Sequence, residues 1–438
     1  MVRAFLSIFI FLVACVASTG LSAQTLPFNE AESAKRLEAL MQRINQFGAT
    51  PDGGLNRVAY SDEDRKAREQ VIREMARLGL RVRVDAAGNI IGRRNGQSNF
   101  KDAIVMGSHI DSVPNGGRFD GVAGVAAALE VIELMNAQDR RTAWPIEVVV
   151  FQNEEGGLVG SLGWLGKISE DTLNVQSSSG YTVRDGMKRI GARLDDLSSA
   201  KRGPKDVKAF LELHIEQGAN LHKEGRDIGI VTGIVGIKWW DVIVEGVANH
   251  AGTTPMSERS DAALAASYFI QLVNKAATSF DGAQVATVGQ LEAFPGAPNV
   301  IPGKVKASLE IRDLSEERID AVYLAIKDGI AEIEEKTGTT FTFNYVDVAS
   351  EPALMNSRMM DLIEKKTRFN DLRFRRMPSG AGHDAQDMVG IAPTGMIFVP
   401  SIDGISHSPK EATEYVAIAR GAKVMLDTVL GIDALQLN

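Results

Sequence analysis

Within "GSHIDSVPNGGRFDGVAG" (107–124), His109 and Asp111 stand two positions apart, and a second carboxylate, Asp120, follows in a glycine-rich loop. A loop that only reversed the chain would need none of these groups. Imidazole nitrogens and carboxylate oxygens are suitable ligands for zinc or a similar divalent ion, so metal binding is one chemistry the set would serve. The chain has only six histidines: His109, His214, His222, His250, His383 and His407. His222, in "NLHKEG", has a bland setting and reads as a solvated residue. Taken singly, each of the others is more often structural than functional. Together they form a pattern: His109, Asp120, the pair Glu154–Glu155 and His214 fall at three successive predicted strand ends, and His407 follows a fourth. Two metals about 3.5–4 Å apart can share one bridging carboxylate and polarise both a nucleophilic water and a carbonyl oxygen. Such a site takes roughly five side chains plus a free base, and the count matches.

The elements that must position these groups read as alternating strands and helices. Helical periodicity covers 30–46 and 62–79, the second with Ser61 as N-cap. Strand candidates are 81–94, "AIVMGSH" up to His109, 146–156 and 209–218, and the apolar helix 121–135 starts in the glycine loop. This alternation predicts an α/β catalytic domain with a mostly parallel, helix-covered sheet. In such sheets the working residues gather beyond the carboxyl ends of the strands.

Around residue 233 the texture changes to alternating strand-like residues, followed by helices at 259–278 and 315–336 and a strand at 339–348. We therefore expect catalytic parts at 24–232 and 351–438, interrupted by a smaller α+β lid or dimerisation domain at 233–350. A chain of 438 residues is in any case too long for one ordinary core.

Residues 1–23 have the layout of a secretory signal: Arg3, an apolar stretch and small residues up to Ala23. Cleavage after Ala23 would give a periplasmic-type enzyme; the rival reading is a lipoprotein anchored at Cys15. Cys15 is the only cysteine, so disulfides and cysteine-ligated metals are excluded. A net charge of −8 with no basic cluster argues against a nucleic-acid partner.

From about Glu30 to Tyr415 the chain resembles the zinc-dependent amidohydrolases that cleave N-carbamoyl-L-amino acids, β-ureidopropionate or allantoate, a branch of the two-metal aminoacylases and exopeptidases. The stretches that carry the resemblance include "YSDEDRKAR", "DAAGNIIGRR", "FQNEEG", "LELHIEQG", "NHAGTTPM", "PNVIPG", "EIRD", "PSGAGHDAQ" and "SIDGISHSPKE". The resemblance implies two divalent ions, zinc with manganese or cobalt as substitutes: His109 and His214 on one, Glu155 and His407 on the other, Asp120 between them. It implies that Asp111 fixes the far nitrogen of His109, with Glu154 as the base for the attacking water. Adjacent acids on an extended segment point in opposite directions, so a local bend is needed, and "NEEGG" supplies glycine for it. Arg312 would grip a substrate carboxylate, with Gln217, Asn299 and Gly380 lining the same pocket. His250 would stabilise the oxyanion, often across a dimer interface. His383 is left without a fixed role.

The resemblance thus implies hydrolysis of the linear carbamoyl C–N bond of a small ureido substrate by a homodimer. Only eleven positions separate His109 from Asp120, and a histidine stands at 214; both favour ureido hydrolysis over dipeptide cleavage. Allantoate or β-ureidopropionate hydrolysis, and more distantly aminoacylase or exopeptidase activity, remain open, as does a non-catalytic metal-binding protein on the same scaffold.

Overall fold

The computed structural model describes residues 28–434, with the backbone alone at 347–349. The leader at 1–23, including Cys15, lies outside the described residues. Two amphipathic helices, Glu30–Asn45 and Asp62–Arg77, open the fold; Ser61 caps the second, its side chain accepting the Asp64 amide.

Strands β1 (Arg81–Val84) and β2 (Ile90–Arg94) then form an antiparallel hairpin. The sequence suggested one strand over 81–94. The polar turn divides it: the Asp85 carboxylate accepts the Asn89 amide at 2.9 Å. Next come β3 (Ala103–His109), β4 (Ile146–Phe151), β5 (Val207–Ile215) and β6 (Ile228–Ile234). Each of β3 and β4 is buried along its whole length.

The chain then leaves this sheet. β7 (Gly236–Glu245), β8 (Asn249–His250), β9 (Val285–Thr287), β10 (Leu291–Phe294), β11 (Val300–Ile301), β12 (Lys304–Asp313) and β13 (Thr340–Ser350) follow. Five of them form an antiparallel sheet ordered β10-β12-β7-β13, with β9 beside β12; β8 and β11 pair separately. The helices Ala262–Thr278 and Glu316–Thr337 bury Phe269, Val322 and Ile326 against Val242, Val244, Leu309 and Ile311. This insert therefore has a core of its own.

The return strands are β14 (Ala353–Leu354), β15 (Phe374–Ser379) and β16 (Thr394–Val399). The large sheet is ordered β1-β2-β4-β3-β5-β16-β6-β14, with β15 beside β6. Its centre, β4-β3-β5-β16, is parallel, and antiparallel pairs β2–β4 and β16–β6 flank it. A parallel centre buried on both faces needs helix cover. The almost wholly apolar helix Val122–Ala137 supplies part of it, its residues nearly all buried.

Candidate metal centre

Five ligand-bearing segments meet where the parallel strands end. His109 is the last residue of β3, and His214 stands next to the end of β5. Glu154 and Glu155 follow β4, and His407 lies in the loop after β16. Asp120 sits just before the helix Val122–Ala137. Its loop passes so close to His109 that a side chain at Gly121 would come within 2.5 Å of the imidazole, and Gly121 has φ 63°. Glycine is required there on both counts.

Asp120 is the centre of the geometry. One oxygen lies 3.5 Å from His109 Nε2 and 3.1 Å from His214 Nε2; the other lies 3.2 Å from His407 Nε2. His407 Nε2 is also 3.7 Å from Glu155, and His109 Nε2 is 3.7 Å from Glu154. Besides Glu212–His214–His383, two sets suited to a cation contain Asp120, namely His109–Asp120–His214 and Asp120–Glu155–His407, with donor atoms within 4.8 Å of one another in each. They share only Asp120.

The tautomers fit such ions. His109 Nδ1 lies 3.0 Å from the Asp111 carbonyl and His214 Nδ1 2.9 Å from the Ile215 carbonyl, so each Nδ1–H donates to backbone. The His109 Nε2 lone pair is thereby left facing carboxylates, and His214 Nε2, which also faces Asp120, accepts the Gly121 amide at 3.2 Å. His109 Nε2 and Glu155 Oε1 are buried without hydrogen-bond partners. A lone pair turned on an anion is unfavourable unless a cation or proton lies between them. In the metal-free protein the surrounding carboxylates favour a proton there. Burial opposes it, but Glu154 and Asp120 outweigh burial and raise the His109 pKa well above its usual value. For His214, burial is likewise outweighed by Asp120. His407 is pushed up to about 9, chiefly by its hydrogen bond with Asp120. Burial would raise Asp120, yet the three imidazoles hold it well below the carboxylate range. Burial and the neighbouring Asp120 push Glu155 up to about 7.

Two expectations are corrected in detail. The bend that turns both glutamates to the site falls at Asn153, with φ 50°, not at a glycine. Asparagine tolerates this left-handed conformation better than most residues. Asp111 holds His109 through its backbone carbonyl; its carboxylate is farther away, at 3.7 Å, and instead accepts the amides of Glu154 and Glu155 at 3.3 Å each. Asp111 thus ties the end of β3 to the segment after β4.

The proposed substrate groups divide. Gln217 joins the cluster, its amide donating to Asp120 at 2.8 Å. Arg312 reaches from β12 to the Gly380 carbonyl at 2.8 Å, which brings those two together. Its Nε and Nη2 are engaged by Glu310 at 2.6 and 3.1 Å. Asn299 and His250 are neighbours, the Asn299 carbonyl accepting the Ala251 amide, but β8 is exposed, and no hydrogen bond or ion pair among the described residues joins His250 to the cluster. His383 is buried against His214, ring centroids 4.4 Å apart, and contacts Ser379 Oγ at 2.9 Å. Burial and the neighbouring imidazole hold its pKa well below the usual value, so it is neutral. His222, read as solvated, accepts the Asp403 amide at 3.0 Å and so anchors the His407 loop. Glu411 was missed as a site residue, although it closes the "SPKE" motif. Its carboxylate accepts the amides of Phe119 and Asp120.

The chain is similar over most of its length to known hydrolases. The chain is 39% identical to the N-carbamoyl-L-amino acid amidohydrolase of Geobacillus stearothermophilus, covering 90% of this chain and 97% of that protein. It is 35% identical to the allantoate amidohydrolase of Escherichia coli (strain K12), covering 89% and 95%. Among solved structures, an amidase of the hydantoinase/carbamoylase family from Burkholderia multivorans superposes with a TM-score of 0.84 at 35% identity, covering 92% and 98% of the two chains. The family model for peptidase family M20/M25/M40 matches residues 105–431. The chain belongs to that family.

Proposed function

We propose that the protein hydrolyses the carbamoyl C–N bond of an N-carbamoyl-L-amino acid, with two divalent cations, zinc by preference, held by His109, His214, Asp120, Glu155 and His407. The observation that carries this is Asp120, one carboxylate faced by three imidazoles and shared by two ligand sets. When bound, the ions supply Lewis acidity toward a carbonyl oxygen and lower the pKa of water. Glu154 takes the proton of the attacking water and delivers it to the leaving nitrogen.

Arg312 is the cation for the substrate carboxylate. Because Glu310 already occupies its fork, binding requires an exchange of one carboxylate for another. Arg312→Lys should raise KM roughly 10- to 100-fold, the loss of one charged hydrogen bond of about 1.5–3 kcal/mol, with kcat little changed. Steady-state kinetics check this; an unchanged KM would leave Arg312 as a partner of Glu310 and Gly380 only.

His250 is the oxyanion donor. Its Nδ1 accepts the Gly252 amide at 3.0 Å, which places the ring proton on Nε2. That N–H can act only about 2.7–3.1 Å from the developing charge, so the insert must close, or a second subunit must present its own loop. A homodimer built through the insert, at roughly 233–350, answers that need. His250→Ala should leave metal content intact and cut kcat by about 10²–10³-fold. A strict monomer by solution mass, with normal turnover in this variant, would reduce the loop to a structural turn.

The layout of residues 1–23 supports export of the enzyme. The deciding experiment for the substrate is a panel of N-carbamoyl-L-amino acids, β-ureidopropionate and allantoate with zinc, manganese or cobalt added. Release of ammonia and CO2 from N-carbamoyl-L-amino acids, and not from β-ureidopropionate or allantoate, supports the reading. Release from allantoate alone transfers it to that substrate, and metal binding without any turnover leaves a binding protein.

A further inference from the structure

The second ligand set has a structural peculiarity. Asp120 and Glu155 belong to well-anchored segments beside the parallel strands, whereas His407 lies in the irregular 400–414 loop and is half exposed, with φ 52°. A half-exposed imidazole on a loop cannot hold an ion in fixed geometry unless the loop itself is tied to the other ligands. Glu411 provides that tie. Glu411 is 5% exposed; its Oε1 accepts the Phe119 amide at 2.8 Å and the Asp120 amide at 3.1 Å, and its Oε2 accepts Ser406 Oγ at 2.8 Å. Ser406 Oγ also lies 3.3 Å from Asp120 Oδ2. One carboxylate from the end of the loop thus reaches the backbone of the shared ligand and, through Ser406, the residue next to His407. Gly117 makes the room: a side chain there would fall 2.0 Å from the Glu411 carboxylate.

Resting on the two-metal reading above, we propose that Glu411 is the positioning residue of the second metal site: with Ser406 it clamps the His407 loop to the Asp120 loop. Affinity at Asp120–Glu155–His407 is therefore set by a carboxylate outside both ligand sets. The first site meets this clamp only through Asp120, because its two imidazoles sit at the ends of β3 and β5 and are oriented by backbone carbonyls. Neither is oriented by Glu411. Losing an outer-shell partner of a ligand typically costs 10- to 100-fold in metal affinity, and here the larger cost falls on the second ion, which loses the hold on His407 as well as on Asp120.

The test compares full-length wild type, Glu411→Gln and Ser406→Ala, each stripped of metal and titrated with zinc against a chelator, with melting of the metal-free proteins followed in parallel. Glutamine keeps the shape but not the charged acceptor; Ser406→Ala removes the hydroxyl's contacts with Glu411 and Asp120 and leaves the Glu411–amide bonds in place. Expected are two zinc ions in wild type, a second ion weakened about 10- to 100-fold in Glu411→Gln, and one weakened about tenfold in Ser406→Ala. The first ion and the metal-free melting temperature should stay near wild type in Ser406→Ala. Two ions at wild-type affinity in both variants overturn the proposal while leaving the two-metal reading intact. Equal weakening of both ions, with melting lowered in step, also overturns it and makes Glu411 a residue of the fold. A wild type that binds a single ion removes the two-metal reading and the clamp with it.

Discussion

Glu154→Gln is expected to keep both metal ions and to lose about 10²–10⁴-fold in kcat, the worth of one positioned base, or more if the same group also delivers the proton to nitrogen. The expectation rests on the surroundings of this carboxylate. It is buried, with Oε2 3.7 Å from His109 Nε2. Burial raises its pKa well above the usual carboxylate value, and although His109 opposes the rise, Glu155, Asp384 and Asp120 add to it. A carboxylate with raised proton affinity is a better acceptor near neutral pH. The amide of glutamine has nearly the same shape and cannot accept that proton. Single-turnover kinetics with metal analysis on the same preparation are the measurement. More than a tenth of wild-type kcat in a fully metallated variant would take the base assignment away from Glu154.

Asp120→Ala is expected to abolish turnover and to lower metal content at both sites. The two ligand sets have no other member in common, so no other single substitution removes a ligand from each. Its loss also leaves the Nε2 atoms of three imidazoles without their shared anion and removes the acceptor of the Gln217 amide. Metal analysis and activity together provide the check. Near-normal turnover at full stoichiometry would end the two-metal assignment.

Of the candidate ligands, His109, Glu155 and His214 were legible because they end or follow apolar runs: a polar residue closing "AIVM" or "VVVF" has no reason to be there unless the strand end has work to do. Helix limits were legible at Ser61, where an N-cap and an acidic first turn coincide. What the sequence hid was chiefly the role of the backbone. The contacts of Glu411 with Phe119 and Asp120 are to main-chain amides remote in sequence, which leave no mark in residue type. The same holds for Asp111, whose carbonyl and carboxylate serve two different neighbours. Asn153 supplied the bend that glycine was expected to supply, since asparagine also accepts a left-handed conformation. The division of 81–94 into a hairpin was missed because its polar turn is short and apolar residues resume at once.

The strand order has a consequence for the making of the protein. β16 lies between β5 and β6, although the whole insert, β14 and β15 separate it from β6 in the chain. At roughly 5–20 residues per second, a ribosome finishes β5 and β6 on the order of ten seconds before the strand that fills the space between them emerges. Throughout that interval the insert can already close its own core, while the neighbouring sheet edges remain unsatisfied and open to wrong partners. The nascent chain is thus most vulnerable late in synthesis, and His407, emerging after β16, makes the second ligand set among the last parts of the molecule to exist.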